Sequence, residues 1–324
     1  MQLPTGPCIG VDLGGTKIAV ARVEPDGTLS RRCRIDTRVT DGPKVIIQRM
    51  CKEIQKVMGT ERVAGIGVAA PGPLNARTGV ILSPPNLPGW VDIPLREELE
   101  KAFGLPVWIE NDANAAAWGE YMRGAGSGAD PMLYMTISTG IGGGVVLNGR
   151  LFRGADTYAG EIGHTTVDPS GPVCGCGRKG CLEVMASGTA LARAAREAAE
   201  RGNSLLSEWA EQKGTLLTAE HVFSALDKGD EAAAAIVERT VEYLAIGISN
   251  VVHLFNPRRV VLGGGVTRSG EWLFNPLRER LGKWLMSSFS GTFDLRQAEL
   301  GDDAGVLGAA SLWAEKRDTF ETTS

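Results

Sequence analysis

No run in this chain approaches the ~18 consecutive apolar residues that would cross a bilayer. Residues Met1 to Pro7 carry neither a basic start nor an apolar stretch, so no secretory leader is expected and the expected location is the cytoplasm. An excess of one charge is also lacking. The 34 Lys and Arg face 38 Asp and Glu, a net charge of -4. That leaves no basic footprint for nucleic acid and no attraction to an acidic membrane, so neither is an expected partner. Gly-X-Y periodicity is missing. A hydrophobic share of 43% with a charged share of 22% fits neither disorder nor a coiled-coil rod. Six cysteines are too few and too unevenly placed for a disulfide scaffold. What the chain has in surplus is glycine: 43 of 324 residues, against roughly 7% on average. Without a fibre period these glycines must serve turns or close backbone approach. The length suggests about two domains with a sizeable core.

Strand-length apolar runs occur at 8–12, 18–23, 63–69, 107–110, 133–137, 145–147 and 259–262. Helical spacing occurs at 44–58, 95–103, 113–122, 188–201, 219–226, 231–255 and 304–316. Strand, glycine turn, strand and Asp-Gly or Asn-Gly turn appear in that order twice, from residue 8 and again from residue 133. This weak internal repeat suggests two halves built alike. Mixed strands and helices of this kind point to an α/β fold of two domains.

Three apolar strands run into glycine clusters: Asp12-Leu13-Gly14-Gly15-Thr16-Lys17, Ser138 to Gly144, and Gly263-Gly264-Gly265. Backbone N–H groups freed of Cβ crowding approach phosphate oxygens closely, and the Thr16 and Thr139 hydroxyls add donors. Each cluster by itself is equally a plain hairpin turn. The first two do not match G-x-G-x-x-G, which excludes a dinucleotide-binding Rossmann site. Gly10 to Lys17 imitates a P-loop, but ends Gly-Thr-Lys and leads into a strand rather than a helix.

His164, Cys174, Cys176 and Cys181 follow the spacing H-x9-C-x-C-x4-C. Four N and S ligands suit tetrahedral Zn²⁺, and with no open position such a metal is structural. Asn111 and Asp112 stand between a strand and a helix, where either is a natural N-cap. Asp12 beside a phosphate turn reads as a turn cap or as an acidic metal partner. Two readings also stay open for Lys17: neutralising phosphate, or standing solvated at the start of a strand. Glu161 and Glu183 taken alone are solvated charges. The Pro71-Gly72-Pro73 and Pro85-to-Trp90 segments are rigid loops. Arg31 to Arg34 reads as a solvated strand edge.

Asp12 to Lys17 is similar to the first phosphate motif of the actin/hexokinase/heat-shock-protein superfamily. Glu110-Asn111-Asp112-Ala113-Asn114 and Thr139 to Gly144 extend that similarity. Glu161-Ile162-Gly163-His164 and the segment from Cys174 to Glu183 narrow it to the ROK family of bacterial sugar kinases and repressors. The resemblance covers nearly the whole chain. It implies two actin-like ATPase (ribonuclease H-like) α/β domains flanking a cleft, the smaller formed by 1–112 plus 304–324 and the larger by 113–303.

The same resemblance implies transfer of phosphate from ATP to the 6-hydroxyl of D-glucose, with Asp112 as the base. It places Gly72, Asn86, Asn111, Glu161, His164 and Glu183 at the sugar. ATP falls to Asp12, Gly14, Gly15, Thr16, Lys17, Thr139, Gly140, Gly142, Gly264 and Gly265, with Mg²⁺ held near Asp12 through water. The Asn86-to-Trp90 loop and Glu183 to Gly188 most resemble glucose-phosphorylating members. N-acetylglucosamine, N-acetylmannosamine, mannose and fructose remain alternatives, and a homodimer or homotetramer is implied. A sugar-responsive regulator of the same family would carry a DNA-binding segment before its first phosphate strand. Here that strand begins by residue 8, so the kinase reading is preferred.

Overall fold

A computed structural model describes residues 6–212 and 215–315. The first elements are β1 (Cys8–Leu13), β2 (Lys17–Val23), β3 (Leu29–Asp36), α1 (Gly42–Met58), β4 (Ile66–Ala70), β5 (Leu74–Asn75), β6 (Val80–Ile81), α2 (Leu95–Phe103), β7 (Val107–Asn111) and α3 (Asp112–Arg123). They are followed by β8 (Met132–Ile137), β9 (Ile141–Leu147), β10 (Arg150–Leu151), α4 (Leu182–Ala186), α5 (Gly188–Ala199), α6 (Leu205–Glu211), α7 (Ala219–Asp227) and α8 (Glu231–Phe255). The last are β11 (Arg259–Gly263), α9 (Glu271–Trp284), β12 (Asp294–Gln297) and α10 (Ala304–Ser311).

One five-stranded sheet has the order β3-β2-β1-β4-β7, and a second has the order β10-β9-β8-β11-β12. The repeated opening of the two halves thus becomes a repeated strand order. By contact the chain divides into two compact units. Among the described residues, one holds 6–130, 144–160 and 299–315; the other holds 131–143, 161–212 and 215–298.

In the first unit, alternation along the strands sorts side chains onto two faces. Ile9 and Val11 of β1 and Ile18 and Val20 of β2 join Ile46, Met50 and Ile54 of α1, all fully buried. These α1 residues recur at i, i+4 and i+8, which is why this segment forms a helix with one apolar stripe. The opposite face receives α10, a helix of small residues with sequence AGVLGAAS. Backbone packs against backbone here. A Cβ on Gly308 would overlap the Ala115 carbonyl oxygen of α3, and a Cβ on Gly67 would overlap that of Ala309. Trp118 of α3, fully buried, donates its indole N–H to the Ser311 carbonyl at 2.9 Å.

In the second unit, β8, β11 and β12 run parallel. The long helix α8 packs on α4, α5, α7 and α9. Asp230 caps α8 by accepting the Ala233 N–H at 2.8 Å, and Asn256 closes it in the left-handed conformation.

Two helix C-termini differ from the sequence expectation by more than one residue. The segment expected over 188–201 stops at Ala199, and α10 stops at Ser311, continuing as a 3-10 turn over Leu312–Ala314. Residue 316 lies outside the described residues. Helix α9 was not expected, because Pro276 inside it disguises the pattern. Among the described residues, no helix is long and apolar enough to cross a membrane.

Candidate active site and metal centre

In the first unit the parallel strands β1, β4 and β7 end level with one another. Asp12 pairs in register with Ala69, and Ala70 pairs with Asn111. This brings Asp12, the Pro71-to-Pro73 loop and Asn111-Asp112 to one edge of the sheet, at the carboxyl ends where α/β folds bind ligands. The turn between β1 and β2 is held by the Gly14 N–H donating to the Lys17 carbonyl at 2.9 Å. The Thr37 hydroxyl donates to the Gly14 carbonyl at 2.6 Å. A Cβ on Gly15 would stand 2.7 Å from the Asn86 carbonyl oxygen, so only glycine lets the Asn86 loop lie on this turn. Gly72 adjoins the Asn111 carboxamide, with a virtual Cβ 3.4 Å from its Nδ2. Thr16 and Lys17 are exposed.

Asn111 is indeed an N-cap: its Oδ1 accepts the Ala113 and Asn114 N–H groups at 3.0 and 3.2 Å. Asp112 is the first residue of α3 and is exposed; its Oδ1 accepts the Ala113 N–H at 2.8 Å. Burial, and then the charge of Asp112, push the Asp12 carboxyl up to about 6, against the opposing pull of Arg34. Asp12 also meets α10, where Gly305 leaves room for its carboxylate. A half-buried carboxylate at the end of a strand beside a glycine turn is chemically suited to a hard divalent cation.

Beneath Asn111 lies a fully buried carboxylate, Glu110. Its Oε1 accepts the Asn111 N–H at 3.0 Å and the Asn114 side-chain amide at 3.3 Å. Its Oε2 accepts the Arg153 Nε–H at 2.6 Å. Arg153 also grips Glu315 with both terminal nitrogens. Burial works against the Arg153 charge, but Glu110 and Glu315 outweigh it and hold the guanidinium protonated. Sequence reasoning assigned no role to Glu110, Arg153 or Glu315. The available signal was Glu110 itself, an acid closing the apolar strand Val107-Trp108-Ile109, since a buried charge requires a partner.

In the second unit, the turn after β8 is crowded by backbone. The Gly188 N–H donates to the Ser138 carbonyl at 2.7 Å, and the Thr189 hydroxyl donates to the Thr139 carbonyl at 2.8 Å. Thr139 is exposed, and Gly142 lies one residue inside β9. The Glu183 carboxylate accepts the Ile141 N–H at 3.0 Å and fills the space where a Gly140 Cβ would stand. Gly264, at φ +90°, passes against the Ile137 carbonyl, while Gly265 faces open space.

His164, Cys174, Cys176 and Cys181 meet in the same unit, with all four ligand atoms within 4.8 Å of one another. His164 Nδ1 is 3.6 Å from Cys174 Sγ, and Cys176 Sγ is 3.6 Å from Cys181 Sγ. A tetrahedron with Zn–S bonds of ~2.3 Å has edges of about 3.8 Å, so the donor set fits zinc in number, chemistry and spacing. The Arg178 backbone N–H lowers the Cys176 thiol, whereas burial raises that of Cys181. His164 Nε2 points the other way and lies 4.0 Å from the exposed Glu161 carboxylate.

The sequence profile of the ROK family matches residues 8–316. A glucokinase of Thermotoga maritima is 41% identical over 314 residues, covering 97% of this chain and 99% of that protein. The crystal structure of a ROK family glucokinase from Streptomyces griseus in complex with glucose and AMPPNP is 35% identical, with a TM-score of 0.81, covering 95% of this chain and 99% of that one. A ROK hexokinase structure from Thermus thermophilus is 39% identical, with a TM-score of 0.79, covering 94% of this chain and 96% of that one.

Proposed function

The chain belongs to the ROK family, and on that premise we propose that it is a glucokinase, transferring the γ-phosphoryl group of ATP to the 6-hydroxyl of D-glucose to give glucose 6-phosphate and ADP. The observation that carries this reading is likeness to glucokinases along essentially the whole length of both chains.

In the first unit, Asp112 orients the attacking hydroxyl and accepts its proton. The phosphoryl transition state is loose, so placement of that carboxylate matters more than its basicity. Asn111, Gly72 and Asn86 contact the sugar. Asp12 would hold Mg²⁺ through water, and the cation would neutralise charge on the phosphates. Gly14, Gly15, Thr16 and Lys17 offer donors to phosphate. In the second unit, Thr139, Gly140, Gly142, Gly264 and Gly265 serve the nucleotide, while Glu161, His164 and Glu183 serve the sugar hydroxyls. His164, Cys174, Cys176 and Cys181 would hold Zn²⁺, which would fix the loop that carries them. A cytoplasmic location and a homodimer or homotetramer complete the proposal.

A panel of glucose, N-acetylglucosamine, N-acetylmannosamine, mannose and fructose with Mg-ATP, read as kcat/KM by coupled ADP release, tests the substrate. Glucose is expected to lead. A higher kcat/KM for any other sugar reassigns the substrate within the family.

A further inference from the structure

Glu110, Arg153 and Glu315 come from β7, the segment after β10, and the chain beyond α10, yet they form one buried ion cluster. The Glu110 side chain is fully buried, Glu315 is 2% exposed and Arg153 is 19% exposed. Burying three charges is costly and often adds little stability compared with apolar packing. The geometry explains what the cluster does instead. Glu110 Oε2 is committed to Arg153, which fixes the carboxylate plane. Its Oε1 then faces the Asn111 N–H and the Asn114 amide, the two ends of the first turn of α3. Arg153 is itself held by Glu315, whose Oε1 also accepts the Leu151 N–H at 2.9 Å. The chain therefore bends from strand to helix at Asn111-Asp112 on a support set from below.

We propose that Glu110, Arg153 and Glu315 are positioning residues, a buried brace that fixes the strand-to-helix turn presenting Asp112 to the attacking hydroxyl. The proposal rests on the reading of Asp112 as the base. None of the three is among the residues assigned to the sugar or the nucleotide, and all three side chains are largely buried. Their effect is on the direction in which Asp112 and Asn111 point, and a misplacement of about 1 Å is enough to cost ~10²-fold in rate.

The test compares Arg153→Met, Arg153→Lys and Glu315→Gln with Asp112→Asn in the full-length protein. Circular dichroism and a thermal melt establish that each variant is folded. Arg153→Met is expected to lower kcat by about 10²-fold, while KM for ATP moves less than about threefold. Arg153→Lys restores one charge without the fork and is expected to recover part of kcat. Glu315→Gln keeps the shape, weakens the grip on Arg153, and is expected to lower kcat by a smaller factor of about 3–10. A folded Arg153→Met with normal kcat beside an inactive Asp112→Asn overturns the brace and leaves the base assignment standing. Normal turnover by Asp112→Asn overturns the base assignment itself. If Arg153→Met does not fold, Glu315→Gln decides: a lowered melting temperature with unchanged kcat shows a purely structural cluster.

Discussion

Asp12 shows how one residue carries a site's electrostatics. Its carboxyl is pushed up to about 6 from 3.8, first by burial and then by Asp112, with Arg34 opposing. Between about pH 4 and pH 6 the folded chain holds a proton that the unfolded chain has released. The stability that Asp12 contributes is therefore full below about pH 4 and lost as pH rises through 6. Two pKa units at about 1.4 kcal/mol each set an upper bound near 3 kcal/mol. Asp12→Asn removes this dependence. Urea unfolding at pH 4 and pH 7 is expected to show the variant gaining on the wild type as pH rises, by up to that amount. Parallel stability profiles for the two proteins would mean that the Asp12 carboxyl titrates normally.

At the scale of elements, the packing of α10 on α3 and the first sheet depends on missing side chains. Gly308→Ala sets two effects against each other. Alanine favours the helix by about 1 kcal/mol over glycine. Its Cβ, however, meets the Ala115 carbonyl oxygen, which is backbone and cannot rotate away. Overpacking of this kind typically costs ~1–3 kcal/mol, so a net loss is expected, seen as a lower denaturant midpoint with an unchanged slope. A raised midpoint would show that α10 slides freely. Other glycines account for part of what the sequence disclosed. The strand-glycine-strand openings at residues 8 and 133 were legible because an apolar run stopped by glycine is a local pattern; a cap at Asn111 or Asp112 was legible for the same reason, and the structure selects Asn111. Helix α9 was hidden by Pro276, and β12 by its shortness and polar composition, Asp-Leu-Arg-Gln. The Glu110–Arg153–Glu315 cluster was hidden by distance, since its members lie 43 and 162 residues apart and no spacing rule links them.

For the molecule as a whole, the four residues singled out by the cysteine spacing come together, with ligand atoms within 4.8 Å of one another, as a shared metal would require. The four ligands hold a loop with little regular structure: Cys174 to Cys181 contains only turns and isolated bridges. That loop leads directly into α4 with Glu183, and it fixes the ring of His164 with Nδ1 toward the thiols and Nε2 toward Glu161. Removing the metal should therefore loosen sugar contacts before nucleotide contacts. Metal binding is also folding free energy for so small a loop, so the melting temperature should fall as well. After treatment with a strong chelator under reducing conditions, KM for glucose is expected to rise at least ~10-fold, on the scale of disturbed metal-site support. KM for ATP should move much less, and added Zn²⁺ should restore both glucose affinity and stability. Metal analysis of the untreated protein is expected to find about one zinc per chain. A metal-free preparation with unchanged glucose KM and melting temperature would remove zinc from this site and return the three cysteines to ordinary thiols.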